Sequence, residues 1–187
     1  MNEQVKNVID KIDTLRVDGN TPYWNISFAT GMYLHDLVIT HKPKRILEIG
    51  TSIGYSGLFL GDALSTYNGH LYTIESHKDR FAIAKDHFTQ AGLTPYITQI
   101  SGHAPEVLTE ITPFINMAFF DATKAEHISY INALEPLLHK EALVITDNVL
   151  SHKEDMKPFV DYMMNHTQFT STIEDIGTGL LISKKVA

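Results

Sequence analysis

Two groups of acidic residues hold most of the chemistry available to this chain, and each sits at the end of a short apolar run. The first is built on "RILEIGTSIGYSG" (45–57), with Glu75 closing the next apolar run. The second joins Asp121, in "NMAFFDATK", to the Asp147-Asn148 pair in "ALVITDNVL". An acid after four to six apolar residues belongs at the C-terminal end of a buried strand. In open α/β sheets that edge is where ligands bind.

In the first group Gly50 and Gly54 permit a tight strand-to-helix turn and a close approach of backbone to ligand. The spacing is not GxGxxG, because Ser52 and Tyr55 stand where glycines would be needed. A pyrophosphate cradle, and with it NAD or FAD, is disfavoured. A helix beginning at 54–56 offers its amides and the Ser56 hydroxyl to a carboxylate. Glu48 directs negative charge toward an amino group, and Glu75 is spaced to accept two ribose hydroxyls. A carboxylate, an amino group and a ribose without phosphate describe S-adenosylmethionine. The plainer reading is an ordinary turn with Glu75 beside a helix cap; Glu48, Ser56 and Glu75 in one register favour the cofactor.

In the second group three oxygen donors, with no sulfur and no required imidazole, suit Mg²⁺, Mn²⁺ or Ca²⁺ rather than zinc. Mg²⁺ keeps several waters, which leaves positions for two oxygens of a chelating substrate. Such an ion acidifies a bound hydroxyl and holds it before a methyl donor. Lys124 opens the next helix and could take the proton once a neighbouring cation disfavours its charged form. Singly, Asp121 and Asp147 read as turn caps and Lys124 as a solvated helix residue; the joint pattern favours the metal.

The elements that must position these residues follow from periodicity. Strands are expected at 45–49, 70–75, 96–101, 116–121, 142–147, 168–174 and 178–184. Helical periodicity occupies 54–67, 77–91, 103–111, 124–139 and 152–166. Within 77–91, Phe81, Ala84, Phe88 and Ala91 form one stripe, with Lys78, Asp79, Lys85 and Asp86 facing away. Alternation of this kind predicts a parallel α/β sheet covered on both faces. Only "EDIGT" separates the last two strands, so they form an antiparallel hairpin. Residues 1–40 read as two helices, roughly 2–15 and 26–40, broken by Gly19 and Pro22, and are expected to be a lid or an oligomer surface.

With 187 residues, 43% of them hydrophobic, the chain is expected to be one domain, 1–40 being the helical segment and 41–187 the core. A formal charge of −7 argues against nucleic acid or an anionic membrane as the main partner. There is no Cys, which excludes disulfides and thiolate chemistry. The polar N-terminus has no signal-peptide core and no apolar run is of membrane length, so the expected location is cytoplasmic. Among the histidines, His77, His103 and His152 follow strands and could border a ligand, although solvated loop positions are their commoner role. Trp24, with Tyr23 and Phe28, is read as a lid, a dimer contact or a partly buried side chain.

Taken in order, "LEIGTSIGYSGLFL", "LYTIE", "AGL…ISGHAPEVL", "FFDATK", "ITDNVL" and "IGTGLLISKK" resemble the small cation-dependent O-methyltransferases, the group containing catechol and caffeoyl-CoA O-methyltransferases. The resemblance covers about residues 30–185. It implies a seven-stranded Rossmann-like class I methyltransferase sheet, S-adenosylmethionine, a Mg²⁺-like ion, a small-molecule acceptor and a homodimer. It puts Glu48, Gly50, Tyr55, Ser56, Glu75, Gly102, Ala104 and Asp121 on cofactor positions. It makes Asp121, Asp147 and Asn148 metal ligands, Lys124 the base and Asp121 its catalytic companion. The chain departs from the family at Thr123 and His127, at Lys140-Glu141-Ala142 in place of Pro-Gly-Gly, and in the short "SHKEDMKPF" after the metal strand. The acceptor is therefore left open among a catechol-like phenol, an amine, a carboxylate and a polyketide-like molecule. A non-catalytic cofactor-binding protein and a nucleotide-dependent reductase are the readings from other classes.

Overall fold

The computed structural model of the protein describes residues 1–17, 23, 25–111 and 114–186. The expected break at Gly19 and Pro22, and Trp24, lie outside these residues. Two helices, α1 (Glu3–Val17) and α2 (Phe28–His41), precede the sheet. Then β1 (Arg45–Ile49), α3 (Tyr55–Ser65), β2 (His70–Glu75), α4 (Lys78–Gln90) and β3 (Ile97–Ser101) alternate. After them come β4 (Ile115–Phe120), α5 (His127–Leu134), β5 (Leu138–Thr146), α6 (Lys153–Met164), β6 (Phe169–Glu174) and β7 (Leu180–Lys185).

The seven strands form one sheet in the order β3-β2-β1-β4-β5-β7-β6. β1 to β5 pair in parallel, and β7 runs antiparallel to both β5 and β6, the hairpin that "EDIGT" predicts. Alternation along each strand divides its side chains between two cores. Ile46, Leu71, Met117 and Ile145 pack with α1 to α4, while Leu47, Ile74, Ala118 and Val144 pack with α5 and α6. Burial on both faces is why the strands read as almost continuous apolar runs. Strand order reverses between β1 and β4, so the loops after their carboxyl ends diverge and leave a crevice.

Three expectations shift. The segment 103–111 holds a short 3-10 turn, Glu106–Glu110, instead of an α-helix, because its first residues are used by the loop that borders the crevice. The predicted helix 124–139 ends early: α5 stops at Leu134 and Pro136, which has no N–H to donate, lies in the turn that follows. β5 accordingly begins at Leu138, and between its first and second contacts with β4 it advances five residues against two. Glu141 (φ 68°) absorbs the difference and pairs with Lys184.

The N-terminal helices are part of the core. Val5 and Ile9 are fully buried, and Leu34 and Val38 are buried on α2. Among the described residues of this segment, Asn25 and Ile26, on the approach to α2, reach the crevice. The apolar face of α1 explains why it packs down: left exposed, it would lose the hydrophobic stabilisation of four large side chains, Val5, Val8, Ile9 and Ile12. Among the described residues no helix is long and apolar enough to cross a membrane.

Candidate functional site

At the strand-order reversal lies a cavity of about 580 Å³, within the range of small-ligand sites. Its walls come from successive strand ends. Gly50 and Ser52 follow β1, Glu75 and Ser76 close β2, and Gly102, His103 and Ala104 follow β3. Asp121, Thr123 and Lys124 follow β4, Asp147 and Asn148 follow β5, and Thr178 lies in the β6–β7 turn. Each loop is held by one further ladder bond past its strand. Gly50 N–H donates to Ile74 O at 3.1 Å, Gly102 N–H to Glu75 O at 3.0 Å, Asp121 N–H to Ile49 O at 3.0 Å and Asp147 N–H to Phe120 O at 3.1 Å. The acids thereby inherit the rigidity of the sheet.

Gly50 has a specific steric reason. At φ +102° its α-carbon faces the Asp121 backbone carbonyl so closely that a Cβ would strike it. The loops after β1 and β4 can meet only if this residue has no side chain.

At the β1–β3 side, the Glu75 carboxylate is oriented by two backbone amides. Ser52 N–H donates to one oxygen at 2.7 Å and His77 N–H to the other at 2.8 Å. These two bonds leave lone pairs on a buried, fixed carboxylate that borders the cavity. His103 accompanies it, with one ring nitrogen 2.9 Å from Glu106 and the other 2.9 Å from Glu126. The Glu106 hydrogen bond, with the second carboxylate, raises the imidazole above its ordinary pKa. Glu126 also accepts the Tyr130 hydroxyl at 2.6 Å, so one wall of the cavity is tied from the β3 loop to α5.

At the β4–β5 side the acids are less comfortable. Asp121 is pushed up to about 7 by burial and by the Asp147 carboxylate, despite the opposing charge of Lys124. Asp147, 2% exposed, is also raised by burial, although Thr178 hydrogen-bonds it. Its Oδ1 accepts the Thr178 hydroxyl at 2.5 Å, and its Oδ2 faces the Asn148 amide at 3.3 Å. Two largely desolvated carboxylates and a carboxamide, on neighbouring strand ends with no sulfur, are a donor set for a hard divalent cation. Among the described residues no group of three or more His, Cys, Asp or Glu could hold a metal, so such an ion would depend on the Asn148 oxygen.

Three residues expected at the cofactor lie under the cavity instead of on its wall. Glu48 is 0% exposed and shares the face of β1 used by Ile46, since alternate residues point the same way. Its carboxylate accepts hydrogen bonds from Ser56 Oγ at 2.5 Å and Thr73 Oγ1 at 2.6 Å. The Ser56 hydroxyl thus serves Glu48 here, and burial pushes the Glu48 carboxyl up to about 7. Tyr55 is buried, and its hydroxyl donates to both Asp13 oxygens at 2.8 and 2.9 Å, binding the β1 loop's helix to α1.

The other expected residues, Gly50, Glu75, Gly102, Ala104, Asp121, Lys124, Asp147 and Asn148, border the one cavity together. Of the three flagged histidines, His103 and His152 reach it and His77 does not. Sequence reading missed Arg80, Asn25 and above all Thr178. Thr178 sits in the segment read as a hairpin and as the start of the family-like "IGTGLLISKK", and nothing local signals its contact with Asp147, 31 residues away.

Comparisons with known proteins bear on this geometry. A family model described as O-methyltransferase matches residues 3–176. A catechol O-methyltransferase from Niastella koreensis is 31% identical over 138 residues, 71% of this chain and 62% of that protein. The chain spans 53–62% of the length of the first curated relatives it matches. The O-methyltransferase TomG of Streptomyces achromogenes, solved with S-adenosylmethionine, superposes with a TM-score of 0.85 at 25% identity, covering 100% of this chain and 91% of that one. An O-methyltransferase from Bacillus cereus, solved with S-adenosylhomocysteine, has a TM-score of 0.85 at 22% identity over 96% of this chain and 90% of its own, a likeness of fold.

Proposed function

The chain belongs to the O-methyltransferase family, and we propose that it is an S-adenosylmethionine- and divalent-metal-dependent O-methyltransferase whose acceptor is a small molecule with two adjacent oxygens, such as a catechol. One observation supports this most: a single cavity is bordered both by Gly50, Glu75, Gly102 and Ala104 and by Asp121, Lys124, Asp147 and Asn148. The catechol O-methyltransferase relative and the S-adenosylmethionine complex of TomG point the same way.

When bound, S-adenosylmethionine would supply an electrophilic methyl group, and Asp121, Asp147 and Asn148 would hold a Mg²⁺-class ion able to acidify an acceptor hydroxyl. The protein's own residues do the rest. Glu75 keeps lone pairs for the ribose hydroxyls because Ser52 and His77 amides fix its orientation. Gly50 and Gly102 let the strand-end loops close against Asp121 and Val107, which leaves their backbone at the cavity border where the cofactor would lie. Lys124 Nζ, in its uncharged form, would be the base that receives the acceptor's proton when the methyl group passes from sulfonium sulfur to oxygen. Glu48, beneath the loop, braces the turn after β1 by accepting the Ser56 and Thr73 hydroxyls.

A second reading keeps the cofactor and changes the acceptor. It is favoured by the turn at 149–152, after which α6 begins at once at Lys153, so little chain is available to wall the acceptor side. The deciding experiment titrates S-adenosylmethionine calorimetrically and then follows methyl transfer to dihydroxybenzoate with Mg²⁺, with and without a chelator. Chelator-sensitive transfer is expected. Cofactor binding with metal-independent transfer would defeat the metal assignment, and absence of cofactor binding would defeat the whole reading.

A further inference from the structure

The β6–β7 turn grips the Asp147-Asn148 pair with both backbone and side chain. Val149 N–H donates to Gly179 O at 3.1 Å, and Leu150 and Ser151 N–H both donate to Thr178 O at 3.1 and 3.0 Å. Gly179, at φ +88°, lies so close to Leu150 that any Cβ would collide with it, so the two turns are in direct contact. On the side-chain level, Thr178 Oγ1 donates to Asp147 Oδ1 at 2.5 Å. The Asn148 amide nitrogen donates to Thr178 Oγ1 at 3.2 Å and to Asp147 Oδ2 at 3.3 Å.

The hydrogen inventory makes this arrangement directional. A threonine hydroxyl has one hydrogen, and here it goes to the carboxylate; its lone pair then receives an amide hydrogen. Only a donor can sit beside a carboxylate oxygen, so the nitrogen of the Asn148 carboxamide must be the end turned inward. The carboxamide oxygen is thereby left as the end free for a cation. Asn148 itself is at φ 69°, a left-handed conformation that Asn tolerates better than most residues.

We propose that Thr178 is a positioning residue for the divalent-cation site, its hydroxyl fixing at once the Asp147 carboxylate and the donor end of Asn148. The proposal rests on the metal reading above and concerns how this chain orients its ligands. Thr178→Val would keep nearly the same shape but remove both hydrogen and lone pair, leaving the two ligands with only their weak mutual bond to hold them. Partners that orient metal ligands in this way are worth about 10–100-fold in metal affinity.

The test compares wild type, Thr178→Val and Thr178→Ser as intact proteins with Mn²⁺ alone, read by electron paramagnetic resonance or calorimetry. S-adenosylmethionine affinity and hydrogen exchange of the Leu150 and Ser151 amides are measured in parallel. The expected result is Mn²⁺ affinity lowered about 10–100-fold in Thr178→Val and retained in Thr178→Ser. Cofactor affinity and amide protection should stay at wild-type levels in both variants. Wild-type Mn²⁺ affinity in the valine variant would overturn the proposal alone. So would equal weakening in both variants, or loss of Leu150 and Ser151 protection in the valine variant, because the turn and not the hydroxyl would then hold the pair. A wild-type protein that binds no Mn²⁺ would overturn both this inference and the metal reading.

Discussion

At the β1–β3 side of the cavity the bordering acid, Glu75, is held by two backbone amides, whereas at the β4–β5 side Asp147 is held chiefly by the side chains of Thr178 and Asn148, with one backbone amide, that of Asn148, beside them. Backbone donors cannot be mutated away and cannot rotate, so the first acid is organised before any ligand arrives. Side-chain donors can be removed one atom at a time. The β4–β5 side also concentrates charge, with Asp121 raised by burial and by its neighbour Asp147. One end is therefore complete in itself, and the other gains most from a cation.

The largest expected effect tests that contrast directly. Asp147→Ala should cut methyl transfer by more than about a hundredfold, since losing a ligand costs more than losing its hydrogen-bond partner. Cofactor affinity, measured by calorimetry, should be unchanged. Full activity in this variant would remove the distinction between the two ends.

Next comes pH, where two buried groups, His127 and Glu48, should act with opposite signs. His127, buried behind Lys124 among Phe120, Tyr130 and Phe159, is lowered by burial to about 4. Its neutral form is the one the fold accepts, so its contribution is complete above 6.5 and is lost as pH falls through about 4. Glu48 is raised to about 7, so its contribution is complete below 4.5 and is lost as pH rises through about 7. Each limb is worth about 3 kcal/mol of unfolding free energy. In chemical denaturation across pH, His127→Leu should flatten the acid limb, and Glu48→Gln should shrink the limb near neutrality to the part that Asp121 contributes. A variant that flattened the wrong limb would reverse the assignment.

Glu75→Ala should weaken S-adenosylmethionine by about 1.5–3 kcal/mol, the worth of a charged hydrogen-bond partner, and leave Mn²⁺ binding as it was. Loss of Mn²⁺ binding with the cofactor would show that the two ends are not separable. The smallest effect belongs to His103→Asn. Its carboxylate partners are solvent-exposed or half-buried, so stability should change by less than about 1 kcal/mol in thermal denaturation, and a larger loss would mean the wall it ties is structural.

Much of this architecture was legible in the sequence because the relevant physics is local. Apolar runs of strand length ending in Glu75, Asp121 and Asp147 reflect a sheet buried on both faces, and β1 and β2 fall on the expected residues. The stripe Phe81, Ala84, Phe88 and Ala91 reflects the helical period: Ala84, Phe88 and Ala91 are buried and Phe81 is partly so. The short "EDIGT" allowed only a hairpin.

Tertiary structure decided what depends on partners distant in the chain. Glu48 belongs to the right motif, but which face of β1 it occupies is set by how α3 covers the sheet, and that puts it under the cavity. The closeness of Gly50 to Asp121 exists only because β1 and β4, 71 residues apart at that point, are neighbours. Tyr55 meets Asp13 across 42 residues and Thr178 meets Asp147 across 31, contacts that no periodicity encodes. The sequence by itself determined where acids must stand at strand ends, because alternation and burial act between near neighbours. Only the folded sheet decided which of those acids meet, which side chains hold them and which are sealed beneath, because hydrogen bonds and desolvation act between whatever the fold brings within a few ångströms.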